Sequence, residues 1–363
     1  MRKIFRGIGW VMALVCVGTL LLCYLSYWIP PHVNAYLPLM GLSYPFVMPV
    51  VAALAIIAAI FKSRVAIVLS IIWLLGLPHF FSYYQFHFSS ATTTDAGSIK
   101  WMSWNVNLLG YNTVNKLVDM QPSKIRDSMI QVIKNEQPDV LAFQEFLQTE
   151  ELNHIDQIKA ETGLAYHHVK FSHAKKNGRK TGLILFSRYP IVQSGQVPFG
   201  GTTLNGCLFA DLAVGGDTIR VYNAHLQSIR FNAEDYEFLE EEKEEMRGAT
   251  RIVKRLKNAF IRREDQVLAI REHMKISRYP VVVLGDFNDP PMSYTYHKMK
   301  EGMLDAFREC GHWMSSTYAG KFPNFRIDYI MCSSNHWRVT AYKTLPIKLV
   351  DHRPITAKME LLH

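Results

Sequence analysis

The hydrophobic pattern divides the chain in two near residue 90. Before that point apolar residues run almost without interruption in three blocks, about 8–29, 37–61 and 64–84. Each block matches the ~20 residues that an α-helix needs to cross a hydrocarbon layer roughly 30 Å thick. None shows the polar face that a core helix of a soluble domain would carry. Three transmembrane helices are therefore predicted within 1–88. Pro38, Pro45 and Pro49 predict a kinked or late-starting second helix. A cleaved signal peptide competes for the first block, since Arg2, Lys3 and Arg6 make a basic start. The block is long for that role, no small-residue cleavage site follows, and two further spans come after it. Trp28, Tyr36, Trp73, Phe80, Phe81, Tyr83 and Tyr84 fall near span ends, where aromatic belts form. A Ser/Thr/Gly-containing linker is expected at 89–98.

From Ile99 the period changes. Short β-branched or aromatic runs at 100–105, 140–144, 182–187, 218–224, 281–285 and 327–331 read as buried strands alternating with helical patterns. Polar residues stand where these runs end: Asn105, Glu145, His225, then Asp286 with Asn288. Asp328 and the pair Asp351 and His352 complete the series. Strand ends of a layered α/β domain converge on one rim, so these side chains can meet although they are far apart in sequence. The stretch 234–274 reads as one or two long helices. It is acidic at Glu240, Glu241, Glu242, Glu244 and Glu245 and basic later, with Ile252, Leu256 and Phe260 on one face. Packing of that face against the domain is preferred to a position on the membrane surface.

Charge sharpens the division. The 363 residues carry a formal net charge of +9. Of this, +5 comes from Arg2, Lys3, Arg6, Lys62 and Arg64, the only formal charges before residue 90, which leaves +4 for the remainder. So small a surplus excludes the dense basic character of a dedicated nucleic-acid binder and favours anionic substrates mildly. Basic residues precede the first span and separate the second from the third, while the loop 30–35 has none. The rule that Lys- and Arg-rich loops stay cytoplasmic then puts the N-terminus inside and, after three spans, the large domain outside the cytoplasm. In a Gram-negative cell that is the inner membrane facing the periplasm. Cys207, Cys310 and Cys332 show no zinc spacing and are read, like Cys16 and Cys23 in the apolar block, as small core residues.

Seven short motifs then occur in order: WNVN at 104–107, QPDVLAFQE at 137–145, GLILFSRYPI at 182–191, NAHL at 223–226, GDFND at 285–289, RIDYI at 326–330 and DHRP at 351–354. On these the sequence resembles the endonuclease/exonuclease/phosphatase superfamily, the deoxyribonuclease I-like metal-dependent phosphoesterases, over 99–363. The resemblance implies a four-layer αββα sandwich, two packed mixed sheets flanked by helices. It also implies a Mg²⁺-dependent hydrolase, with Mn²⁺ as a substitute, acting on phosphate esters.

Phosphate esters repel nucleophiles by their own charge, so such a site needs a divalent cation, a base for water and donors for phosphoryl oxygens. Glu145, Asn105 and Asp351 are the expected metal ligands, the hard oxygen donors that Mg²⁺ prefers. By resemblance His352 is the base, Asp328 orients it, Asp286 aligns the attacking water, Asn288 donates to a phosphoryl oxygen, and His225 contacts phosphate and assists the leaving group. Asn107 and Asn223 are read as structural or functional with equal weight, and Arg188 and Tyr329 as structural neighbours. His167, His168 and His173 read as ordinary strand histidines rather than a metal site. Lys175, Lys176, Arg179 and Lys180 form a loop that either reaches substrate phosphate or is a solvated hairpin tip. Tethering beside a bilayer favours a lipid headgroup or other surface phosphodiester. An exported nuclease is the enzymatic alternative, and a membrane-held non-catalytic binding domain is the alternative of another class.

Overall fold

The computed structural model describes residues 2–87, 97–112, 117–174, 178–200, 205–229, 246–320 and 323–362. Most of the expected linker, Lys175, Lys176 and the acidic run Glu240, Glu241, Glu242, Glu244 and Glu245 lie outside these residues. The chain begins with α1 (Arg2–Trp28), α2 (Leu37–Ile60), α3 (Val65–Leu75), α4 (Leu77–Phe80) and β1 (Tyr84–Phe86). It continues with β2 (Ser98–Asn105), α5 (Pro122–Glu136), β3 (Val140–Gln148), α6 (His154–Thr162), β4 (Tyr166–Ala174) and β5 (Lys180–Ser187). Next come β6 (Ile191–Val197), β7 (Gly206–Val214), β8 (Asp217–His225), α7 (Met246–Lys275), β9 (Val281–Asp286) and α8 (Tyr294–Lys300). The last elements are β10 (Met303–Asp305), α9 (Ala306–Cys310), β11 (His312–Met314), β12 (Asp328–Ser333), β13 (Trp337–Thr344) and β14 (Ile355–Leu361).

Two six-stranded sheets form, in the orders β10-β12-β9-β8-β7-β6 and β13-β14-β2-β3-β5-β4. Both are mixed: β8 and β9 are parallel in one, β2 and β3 in the other, and the remaining pairs are antiparallel. Alternation along the strands makes the layers. Val282 and Leu284 of β9 pack with Trp101, Val140 and Ala142 between the sheets. Val281 and Val283 face Val267 and Ile270 of α7 and Met299 of α8 instead. Across the molecule Trp104 and Phe143 face Ile125 and Met129 of α5 and Ile158 of α6. A period of two therefore feeds three apolar layers, and the expected α/β architecture of two mixed sheets flanked by helices is present. All five cysteines are free thiols.

At the N-terminal end, α1 and α2 are long and apolar enough to cross a membrane, by length and composition. The third expected span is shorter than predicted. α3 has 11 residues, roughly 16 Å at about 1.5 Å per residue, against the ~30 Å of hydrocarbon. Pro78 is the physical reason: it has no N–H to continue the ladder and is accommodated in the first turn of the new short helix α4. Short loops make α1, α2 and α3 alternate in direction. The C-terminal end of α1, the N-terminal end of α2 and the C-terminal end of α3 therefore share the end that meets the two-sheet region. There the Ser26 hydroxyl donates to the Met292 carbonyl, Met292 N–H donates to the Tyr83 hydroxyl, and His32 pairs with Glu264. On α7, Ile252, Leu256 and Phe260 pack against Leu39 and Leu42 of α2. That face covers the apolar helix α2, while the C-terminal half of α7 covers a sheet.

Candidate active site

Each chemistry-bearing residue is placed by a local backbone device. Asn105 closes β2, and the chain turns at once through Asn107, Leu108 and Leu109, three consecutive non-glycine residues with φ of 41°, 58° and 54°. Glu145 is not at a strand tip as its motif suggested. β3 runs on to Gln148, and Glu145 occupies a bulge with φ 53°, which turns its side chain out of the pleat. In β9, Gly285 has φ 146° and lies so close to β8 that a Cβ would come 1.9 Å from the Ala224 carbonyl oxygen. Only glycine allows that approach, which sets His225 opposite Asp286 in the parallel register. Asp328 opens β12 opposite Asp286 on the other side, with its N–H donated to the Thr317 hydroxyl. His352 follows Asp351 just before β14, and its carbonyl accepts from the Trp104 indole.

The side chains converge. His352 Nδ1 lies 3.0 Å from Asp328 Oδ2, and its Nε2 is 3.8 Å from Asp286 Oδ2. His225 Nε2 is 3.6 Å from Asp286 Oδ2 and 3.7 Å from Glu145 Oε1. The Asn105 amide donates to Asp286 at 3.0 Å and to Glu145 at 3.4 Å. Asn288 donates its backbone N–H to Asp286 Oδ1 at 2.8 Å and its amide to the Leu226 carbonyl at 3.1 Å. Asp351 accepts from the Asn107 amide at 2.6 Å. All eight expected residues thus share one rim, and Asn107 joins them. Asn223 does not: its amide donates to the Phe143 and Ile184 carbonyls and ties one sheet to the other. Tyr329 donates to the Asp289 carbonyl, and Arg188 lies 3.7 Å from Asp139.

Electrostatics follow from crowding carboxylates under partial desolvation. Burial, with the Asp351 charge adding to it, pushes the Glu145 carboxyl up to about 7. Burial also raises Asp286, against the pull of His352. For His352 burial opposes the imidazolium, but Asp328 and Asp286 outweigh it and raise the imidazole well above its usual value. An excess of buried negative charge lined by oxygen donors fits a hard divalent cation. Two groupings could hold one. Asp286, Asp328 and His352 offer atoms within 4.8 Å of one another, and Glu145 with Asp351 forms the other edge. Asn105 turns its nitrogen to Glu145 while its oxygen accepts from Asn107 N–H, so a ligand role requires the amide to turn over.

A cavity of about 530 Å³ opens beside this rim, with Glu145 and His225 in its wall next to Leu108, Tyr111, His173 and Arg179. His173 and Arg179, from the strand histidines and the basic loop, are therefore at the site, whereas His168 binds the Gly195 carbonyl. Sequence reasoning missed a supporting layer. Buried Arg263 donates to the Gln227 carbonyl and to Asp289, pinning the turns after His225 and Asp286. Buried Arg326, two residues before Asp328, pairs with Asp305 through both terminal nitrogens. Asp289 and Arg326 lie inside the GDFND and RIDYI motifs, which was their only signal.

A two-sheet sandwich with this rim of carboxylates, amides and imidazoles has the architecture of phosphoesterase-type hydrolases. The chain belongs to the Endonuclease/Exonuclease/phosphatase family, whose sequence model matches residues 102–354. Residues 2–83 match a family described only as a domain of unknown function. No curated protein matches the sequence. Among solved structures, the chain is similar in fold to an endonuclease/exonuclease/phosphatase from Beutenbergia cavernae DSM 12333. That likeness has 17% identity and a TM-score of 0.51, covering 73% of this chain and 72% of that one. It is also similar to the human Nocturnin catalytic domain with bound sulfate anion, at 16% identity and TM-score 0.53, covering 73% and 95%. A family protein from Leptotrichia buccalis C-1013-b shares 17% identity at TM-score 0.51, covering 72% and 99%.

Proposed function

We propose that this chain is a membrane-anchored, divalent-metal-dependent phosphoesterase. It hydrolyses a phosphodiester or phosphomonoester with an activated water, on a lipid headgroup or another surface-borne substrate. The carrying observation is His352, held by Asp328 at 3.0 Å with its free nitrogen aimed toward Asp286 at 3.8 Å. An imidazole oriented by one carboxylate and facing another is equipped to take a proton from water between them. In this reading His352 is the base, Asp328 orients it and Asp286 aligns the water. Asn288 and His225 meet the phosphoryl oxygens, and His225 assists the leaving group.

Glu145, Asp351 and a turned Asn105 would hold Mg²⁺ or Mn²⁺, which when bound supplies positive charge to the anionic phosphoryl group. Residues 1–88 serve as membrane segment, 89–98 as linker and 99–363 as catalytic region. The anchor reading draws support from the uncharged lengths of α1 and α2. The outward orientation draws support from Arg2, Lys3, Arg6, Lys62 and Arg64, which cluster at the helix ends remote from the catalytic region. Although α3 is short, it still returns the chain to the opposite end of the helical bundle.

The test is the full chain in detergent, treated with EDTA and resupplied with Mg²⁺ or Mn²⁺, on phospholipid, sphingomyelin, inositol phosphates, DNA and RNA. Metal-restored hydrolysis of a lipid or inositol phosphate is expected. Cleavage confined to nucleic acid would transfer the chain to the nucleases. A folded chain that hydrolyses none of these would be a binding domain.

A further inference from the structure

The two-stranded ribbon of β1 and β11 belongs to neither six-stranded sheet, and among the described residues it carries the largest exposed apolar group of the catalytic region. Trp313 is 70% exposed, with Met314 at 50% and Phe86 at 44% beside it. Trp313 also has φ 53°, a left-handed conformation that strains a bulky side chain. Among the described residues the Trp313 ring meets Phe86 and most of its surface stays uncovered, which points to a further contact.

The surroundings name the partner. The Trp313 ring packs edge-on against Phe86 at 5.9 Å, Phe86 stacks on Phe80 at 6.4 Å, and Phe80 meets Trp73 of α3 at 6.2 Å. This row of rings runs without a break from an apolar helix to the ribbon. Along α3 itself Ile67, Ile71, Leu74 and Leu75 are all exposed, and Phe81 continues that surface past its end. No residue of β1 or β11 bears a formal charge. An uncharged aromatic surface continuous with a lipid-facing helix has the chemistry of the bilayer interface, where Trp is enriched.

We propose that the β1–β11 ribbon is a second membrane contact, in which Trp313, with Phe86 and Met314, enters the headgroup region of the leaflet next to the catalytic region. The proposal rests on the anchor reading above. The helices are already docked on this region through Ser26, Tyr83 and Ser82, and the ribbon adds a further point at which it meets the leaflet.

The test uses the full chain in phosphatidylcholine vesicles, with and without lipid brominated near the glycerol end of its acyl chains. The emission of Trp313 is the difference between wild type and Trp313→Phe. Brominated lipid should remove most of that difference, and aqueous iodide little. Quenching by iodide alone, in a chain that stays in the membrane through alkaline carbonate, overturns the ribbon contact and leaves the anchor standing. Quenching by neither points to a second copy covering the ribbon and also overturns it. Release by carbonate overturns the anchor and the ribbon together. Trp313→Gly supplies the control for folding, because glycine accepts φ 53° without strain. It should retain the wild-type melting temperature in detergent, and a fall of several degrees would mean that the ring serves the fold.

Discussion

Arg326 donates to the backbone carbonyl of Ser82 at 2.8 Å across 244 positions of sequence. Its other terminal nitrogen binds Asp305, so one buried guanidinium joins the segment leaving the apolar helices to the strand that begins with Asp328. The N-terminal apolar helices and the rim of the candidate site are therefore packed as one structure.

A chain beginning at Ile99 should for this reason be less stable than the full chain. It loses the Ser82 acceptor for Arg326 and the Tyr83 acceptor for Met292 N–H, each costing about 1–3 kcal/mol where water does not replace it. A melting temperature several degrees below that of the full chain in the same detergent is expected. An equal or higher value would show that the docking contributes nothing.

Glu145→Gln should lower metal-restored turnover by at least about a hundredfold while leaving the fold intact, since the change is isosteric and removes charge from a crowded rim. Circular dichroism and a thermal melt report the fold, and turnover with added Mg²⁺ reports the effect. Full activity in the folded variant, or after EDTA, would remove Glu145 from the metal site.

The pH profile tests the His352 and Asp328 pair. If His352 is the base it must be neutral to act, and neighbouring carboxylates hold its imidazole well above the usual value, so activity should rise as pH climbs through that range. Asp328→Asn removes a charge that stabilises imidazolium, so the acid limb should move to lower pH. The double variant Asp328→Asn with His352→Ala should be little worse than His352→Ala alone. An unmoved limb or additive losses would leave Asp286 as the activator of water.

Gly285→Ala should fail to accumulate or should melt far below wild type. The new Cβ would lie 1.9 Å from backbone at Ala224, an overlap that costs on the order of 3 kcal/mol or more. Wild-type expression and stability would mean that β8 and β9 can separate without loss.

A reporter fused after His363 tests orientation in a bacterial host. Alkaline phosphatase should be active there and green fluorescent protein dark. The reverse result would mean an even number of spans, with α3 not crossing the bilayer, or an inverted topology.

What the sequence determined by itself was local or periodic. Uninterrupted apolar length marked α1 and α2, short β-branched or aromatic runs marked β2, β3, β5, β8, β9 and β12, and the motif residues marked the rim from Asn105 to His352. These are legible because burial on one or both faces constrains every residue of an element. Tertiary structure decided what depends on which distant group lies opposite. The bulge at Glu145, Asn223 as a tie between sheets, and Arg263 and Arg326 beneath the turns of the candidate site carry no local period. The helix break at Pro78 was visible as a proline, but how the chain continues past it depends on the docking of Ser82 and Tyr83. The ribbon of β1 and β11 joins segments more than two hundred residues apart, and a pairing of three residues on each strand leaves no pattern in either one. Such contacts depend on complementarity across the fold, and a single stretch of sequence holds only half of each.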